Sequence, residues 1–365
     1  MSQYILILIW IGLLAVVTRN TGVYRRELVL GEEKSRLVPF IALLAVAPLI
    51  YMTATRTNIG DTSNYRRGFL SMPDSFAELP TYLGRVKKDK GFYALSALIH
   101  IFIGDKDQWY FFLIALFQAG ALAAVYRKYS SSFLTSVFLF LASTDYVSWM
   151  FNGIRQFMAV CVIFAATGFL LRKKWVPTVL LILLASTMHQ SALLMLPVVF
   201  IVQGRAWNPK MLLFLAGILM SVLFIDRFTN ILDSAMQDTQ YGNMVSDWTE
   251  WGDDGTNVFR VLVYAVPTIL ALLGRRFLKA EQDPLIHLCC NMSIVSTGLY
   301  LLSMFTSGIF IGRLPIYASL YNYILLPWEI DRMFTKSSAR LVTALMILFY
   351  LAFYYYQMHL TFGIF

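Results

Sequence analysis

An all-α polytopic membrane protein is the fold class this sequence predicts, and three observations carry the prediction. Of 365 residues, 58% are hydrophobic and only 14% charged, where a soluble domain carries roughly 25% charged residues. Apolar runs approaching the ~20 residues needed for a lipid-spanning helix recur along the whole length. No polar stretch is long enough to form a separate soluble domain, so residues 1–365 read as a single transmembrane domain.

The first run, YILILIWIGLLAVV, has no basic residue before it, and Arg19, Arg25 and Arg26 all follow it. It therefore reads as a first span with its N-terminus outside, rather than as a cleaved signal. About twelve spans are expected in all: 4–18, 37–54, 108–126, 132–148, 151–171, 175–188, 190–203, 210–226, 258–274, 284–306, 312–330 and 338–358. The amphipathic piece 91–103 is too short to cross comfortably and reads as a short re-entrant or interfacial helix.

Orientation follows from the basic residues. With the N-terminus outside, the inner loops hold 18 of the 30 Lys and Arg residues, including RRELVLGEEKSR, RKK and RR. The outer side holds 12, of which 7 lie in the single loop 55–90. An even number of spans then leaves both termini outside. The net charge of +9 is mostly topogenic and calls for no nucleic-acid partner. Cys161, Cys289 and Cys290 all sit in apolar runs; they imply no disulfide framework and no zinc spacing, and no metal or cofactor is expected.

The polar residues embedded in apolar sequence fall toward one membrane face. His189, in ILLASTMHQSALLM, lies between two runs of about 14 residues, each rising ~21 Å against a hydrocarbon core of ~30 Å. It is expected at the floor of a water-filled recess. Arg155 opens an inward span in FNGIRQFMAV, flanked by Asn152 and Gln156, and Asp145 ends the span before it. Arg313 opens another, with Tyr317 and Tyr321 at i+4 and i+8 on the same face. Asp61, Tyr65, Arg66 and Arg67, in GDTSNYRRGF, lie in the basic outer loop.

An ionisable residue inside a membrane segment marks a functional site by default. Each also has a plainer reading: Arg155 and Arg313 as snorkelling side chains, His189 as a hydrogen-bonded turn residue, and Asp145 as a cap or local ion-pair partner. The acidic outer loop 227–257 reads as a solvated face. Trp248 and Trp251 within it offer only a weak sign of sugar stacking.

Arginine forks bind phosphate bidentately and stay charged when partly buried. A neutral histidine or a carboxylate can take the proton of an attacking hydroxyl, and tyrosines suit a sugar. The set fits glycosyl transfer from a lipid-diphosphate donor, with arginine stabilising the leaving diphosphate in place of a metal.

NGIRQFMAVCVIFAATGFLLRKKW followed by HQSALLMLP resembles the central signature of the EpsG/Wzy-type polysaccharide polymerases. GDTSNYRRGF resembles their early Asp-Thr-x-x-Tyr element and RLPIYASLYNYILLP their late Arg-x-x-x-Tyr element, in matching order from about residue 40 to 330. The resemblance implies a GT-C-like glycosyltransferase of the bacterial plasma (inner) membrane with its active site facing the outside or periplasm. Its donor and acceptor would be undecaprenyl-diphosphate-linked oligosaccharides, and a chain-length regulator is a further partner it admits. By matching position, Arg155 and Arg313 would hold the donor diphosphate with Arg66 or Arg67 assisting. His189 is the first choice of base and Asp61 the second; Tyr65, Tyr317, Tyr321, Asn152, Gln156 and Asp145 are the remaining substrate-binding candidates. A glycan ligase, a membrane O-acyltransferase and a lipid-linked sugar transporter are the alternative readings.

Overall fold

The computed structural model describes residues 2–19, 21–236 and 255–365. Trp248 and Trp251, with most of the loop 227–257, lie outside the described residues. The chain divides into two compact units, Met1–Leu196 with Lys336–Phe365, and Pro197–Thr335.

The first unit opens with the apolar helix α1 (Ser2–Arg19) and an antiparallel hairpin, β1 (Tyr24–Val29) and β2 (Glu32–Leu37). The charged stretch RRELVLGEEKSR was expected as a plain inner loop. Instead Val29 pairs with Glu32 across Leu30 and Gly31, both at positive φ, the backbone of a two-residue turn that matches strand twist. Opposite charges face one another at Glu27 and Lys34, which suits cross-strand pairing.

Helix α2 (Pro39–Ala54) starts on a proline, whose missing N–H costs nothing in a first turn. The outer loop 55–90 proves largely helical, with α3 (Thr62–Leu70) and α4 (Leu79–Arg85), followed by α5 (Lys90–Ile103). These fold over the start of α6 (Asp107–Tyr129) on a core that includes Phe69, Phe92, Tyr110, Ile154 and Met158. Phe69 stacks on Tyr110 with ring centroids 4.3 Å apart.

The expected spans 132–148 and 151–171 are each interrupted. Helix α7 (Phe133–Ala142) gives way to a π-helical turn, Tyr146–Asn152, bent 72° from it, and then to α8 (Ile154–Ala165) and α9 (Thr167–Leu171). Helix α10 (Trp175–Met188) matches its expected run; 190–203 becomes a 3-10 turn, Gln190–Leu194, followed by α11 (Met195–Ile201). Within the first unit α2 packs along α6, α6 along α8 and α8 along α10, while α5 also meets α10.

The second unit contains α12 (Pro209–Leu223), α13 (Ile225–Met236), α14 (Val258–Leu273), α15 (Arg275–Ala280) and the central α16 (Pro284–Met304). Helix α16 packs against α12 and α14, and Thr268 of α14 shares hydrogen bonds of 2.7 Å with Ser293 and Thr297. The expected continuous span 312–330 is broken into a 3-10 turn, Ile311–Arg313, then α17 (Ile316–Ser319) and α18 (Asn322–Met333). Helix α19 (Lys336–Tyr356) returns the chain to the first unit, where it packs on α7, as α1 does.

Three described helices are long and apolar enough to cross a membrane, within Asp107–Tyr129, Pro284–Met304 and Lys336–Thr361. Two bent pairs raise the count to five if each is one broken span. The chain is a nearly all-α integral membrane protein.

Candidate functional site

Arg155 stands in the first turn of α8, directly after the π-helical turn and Gly153. Its Nη1 donates to Asp89 Oδ2 at 2.7 Å. The carboxylate is the hidden partner, its side chain 2% exposed against 24% for the arginine. The guanidinium also interacts with the Tyr65 phenol and lies 5.8 Å from the centre of the Tyr93 ring, close enough for a cation–π attraction.

Asp89 reaches this position by a strained route. It precedes α5 in the left-handed region, at φ 54°, where a non-glycine residue is uncommon. Its side chain makes no capping bond to α5, which leaves it to Arg155. Burial pushes the Asp89 carboxyl above its ordinary range, against the opposing pull of Arg155, the Gln190 backbone N–H and Lys88. Burial likewise raises the Tyr65 phenol, and Arg155 opposes it.

Gln190 belongs to the turn that carries His189, so the same contact ties the His-Gln-Ser segment to Arg155. His189 is extended (φ −157°, ψ 125°) and ends α10. Its Nδ1 lies 2.7 Å from Ser191 Oγ and accepts weakly from the Ser191 N–H at 3.4 Å. A ring accepting at Nδ1 carries its neutral-state proton on Nε2, which makes Nε2 a donor. Helix α5 approaches this turn closely, since a Cβ on Gly91 would fall 2.1 Å from Thr187 Oγ1.

The Asp61 segment joins from the other side. Asn152 Oδ1 accepts from the Asp61 N–H at 3.1 Å, and Asn152 Nδ2 donates to Val147 O at 3.1 Å. Gly60 sits at φ +57°, and a Cβ there would lie 1.7 Å from Asn152 Oδ1. Only glycine fits. No protein hydrogen bond to the Asp61 carboxylate occurs among the described residues, whereas Tyr65, one turn on, reaches Arg155.

Contacts thus link the Asp61 segment to Asn152, Tyr65 to Arg155, and Arg155 through Asp89 to the His189 turn; the other candidates do not all join them. Arg66 Nε donates to Asp107 Oδ2 at 2.5 Å and Nη1 to Asn58 at 3.2 Å, which pins α3 to the start of α6. Exposed Arg67 donates to Asn64 Oδ1 at 2.8 Å. Asp145 is fully buried just before the π-helical turn, and Gln156 is buried on α8.

In the second unit, Arg313 is exposed at the end of its 3-10 turn. The expected i+4 and i+8 stripe on one helix is absent: Tyr317 lies in α17 and Tyr321 precedes α18. Both tyrosines are buried, so neither presents a face for a sugar.

Sequence reasoning missed Asp89 and Arg56. Between Lys88 and Lys90, Asp89 looks like one charge in a solvated run. Arg56 is 4% exposed, donates from Nη1 to Met150 O at 2.5 Å, and lies 4.1 Å and 5.2 Å from the rings of Phe111 and Phe151. Burial lowers it to about 10, so it remains a cation at neutral pH and props the π-helical turn from beneath.

The family model described as the EpsG family matches residues 40–363. No curated protein and no solved structure matches the chain.

Proposed function

The chain belongs to the EpsG family, and we propose from that premise that it polymerises polysaccharide by glycosyl transfer from a lipid diphosphate. The units are undecaprenyl-diphosphate-linked oligosaccharides. A hydroxyl at the non-reducing end of a new unit attacks the anomeric carbon of the growing chain. The bond from that carbon to the diphosphate oxygen breaks, and the lipid diphosphate leaves with the electron pair.

The observation that carries this reading is the Arg155–Asp89 pair beside Tyr65 and the His189 turn. A fixed arginine fork beside a tyrosine phenol, tied through Asp89 to the backbone of the His189 turn, suits a leaving diphosphate. Asp61 takes the proton of the attacking hydroxyl, a role favoured by its unengaged carboxylate. His189 donates from Nε2 to a phosphate or sugar oxygen, and with Nδ1 released it would serve as the base instead. Asn152 and Gln156 flank the reacting groups. Arg67 assists at the diphosphate because Arg66 is committed to Asp107, and the late Arg-x-x-x-Tyr motif favours Arg313 as a further phosphate-binding arginine.

The shorter apolar helices complete the crossings in a GT-C-like arrangement of about twelve spans. The termini and the Arg155 site then face the outside of a bacterial plasma membrane, as the distribution of basic loops favours. The test is the surface glycan of a producing strain that lacks this protein. Single repeat units with no ladder are expected. A full ladder held on its lipid carrier would indicate a ligase, and full-length polymer with altered decoration an acyltransferase.

A further inference from the structure

Away from the Arg155 cluster, the first unit carries an open-sided cavity of about 810 Å³ lined by α1, the hairpin, the end of α6, α7 and α19. That volume lies within the range of small-molecule sites. Its long wall is apolar, running along α1 past Ile5 and Gly12, with α19 contributing Leu351. One end is different: Arg19, Arg36 and Arg127 line it together with Ser130–Ser132; Arg36 Nη1 donates to Ser130 O at 2.8 Å and Arg127 pairs with Glu27, so three arginines there face one carboxylate.

This basic end lies far from the Arg155 cluster. Asp107, in the first turn of α6, holds Arg66; Arg127, in its last turn, pairs with Glu27 of the hairpin. Twenty residues of helix separate them, about 30 Å, the thickness of a hydrocarbon core. The two sites therefore belong to opposite membrane faces.

We propose that the cavity holds one anionic phospholipid of the leaflet on the hairpin side, one acyl chain along α1 and its headgroup phosphate among the arginines. The dimensions fit: Ile5 to Arg19 spans about 21 Å of helix, enough for a single leaflet's share of the core. Access fits as well, because Leu13 and Val16 on the same helix are 56% and 66% exposed, so α1 borders lipid. The charge selects among lipids. Arginine forks and serine hydroxyls match a phosphate diester, and an end with three arginines against the single Glu27 carboxylate disfavours the extra cation of a choline headgroup. The polyprenyl diphosphate of the proposed reaction has its own arginines at the other face.

The test uses the full chain purified in mild detergent. Phosphatidylglycerol and phosphatidylcholine are added in turn, with binding followed by native mass spectrometry and by melting temperature. Wild type is expected to retain one phosphatidylglycerol and to melt higher with it than with phosphatidylcholine. Gly12→Phe and Ala15→Phe project from exposed lining positions of α1 into the cavity, and a Cβ at Gly12 meets no atom within 4 Å, so the variants should lose the lipid while retaining the wild-type melting temperature measured without lipid. Arg19→Glu should weaken retention about tenfold, the order expected when a cation facing an anionic headgroup is reversed. Leu13→Phe, on the lipid-facing side of α1, should retain it. Equal retention of the two lipids, displacement by undecaprenyl phosphate, or equal behaviour of the Gly12 and Leu13 variants would overturn the proposal.

Discussion

Asp89 and Arg155 meet at 2.7 Å across 66 positions of sequence, with the carboxylate buried behind the arginine. The pair joins the α5 entry to the α8 entry, and the Gln190 N–H directed at Asp89 joins both to the His189 turn. An arginine on a flexible stem loses rotamer entropy when it grips a ligand. Asp89 removes part of that cost in advance by fixing the fork.

The pair also sets a pH dependence. Asp89 ionises above its ordinary 3.8 because burial raises it, so on acidification the folded protein takes up this proton before the unfolded chain does. Its contribution to stability is fully present below 3.8 and is lost as pH rises from there through its raised folded value. Melting temperatures of wild type and Asp89→Asn, taken in detergent across that interval, should diverge with wild type losing ground as pH rises. Parallel curves would remove Asp89 as the source.

Arg155→Lys keeps the charge and discards the fork. Lysine cannot hold Asp89, Tyr65 and a diphosphate in one plane, so polymer formation should fall about 100-fold at equal expression, the scale of losing a transition-state donor. Polymer of full length and amount in this variant would take Arg155 out of the diphosphate role.

Gly60→Ala places a Cβ on Asn152 Oδ1 and forces alanine into positive φ. The cost should be about 1–3 kcal/mol of local strain, relieved by displacing the Asp61 segment. Activity should drop while the melting temperature changes little, and Gly68→Ala, where a Cβ meets nothing within 4 Å, should behave as wild type. Equal effects of the two substitutions would count against the Gly60–Asn152 contact as the means of positioning Asp61.

Asp61→Asn and His189→Gln separate the two proton roles. Glutamine preserves a donor in place of Nε2–H, whereas asparagine cannot accept a proton. Rate loss of about 100-fold or more is expected for Asp61→Asn, with a smaller loss for His189→Gln. The reverse order, in single-turnover measurements, would return the base role to His189.

How much of this was legible follows from what each residue looks like in isolation. Arg155 and His189 stand out because apolar runs cannot hide an arginine or a His-Gln-Ser triplet, and the structure ties both through Asp89. Asp89 itself was not legible, because a carboxylate between two lysines in a polar loop is indistinguishable from a solvated one until its partner is known. The hairpin at 24–37 was obscured for a similar reason, since its charged strands lack an apolar alternation. The run 312–330 misled in the opposite direction. Its composition suits a span, yet the segment from Ile311 breaks into a 3-10 turn and two separate helices, α17 and α18, and buries Tyr317 and Tyr321. Hydropathy cannot register such breaks.

The most direct measurement is made on the purified protein in lipid vesicles, given synthetic undecaprenyl-diphosphate-linked repeat units and no other enzyme. The account predicts a ladder of lipid-linked glycans with release of undecaprenyl diphosphate, one per added unit, and no ladder with Arg155→Lys. Intact starting units alongside protein that is folded and carries bound lipid-linked substrate would contradict it.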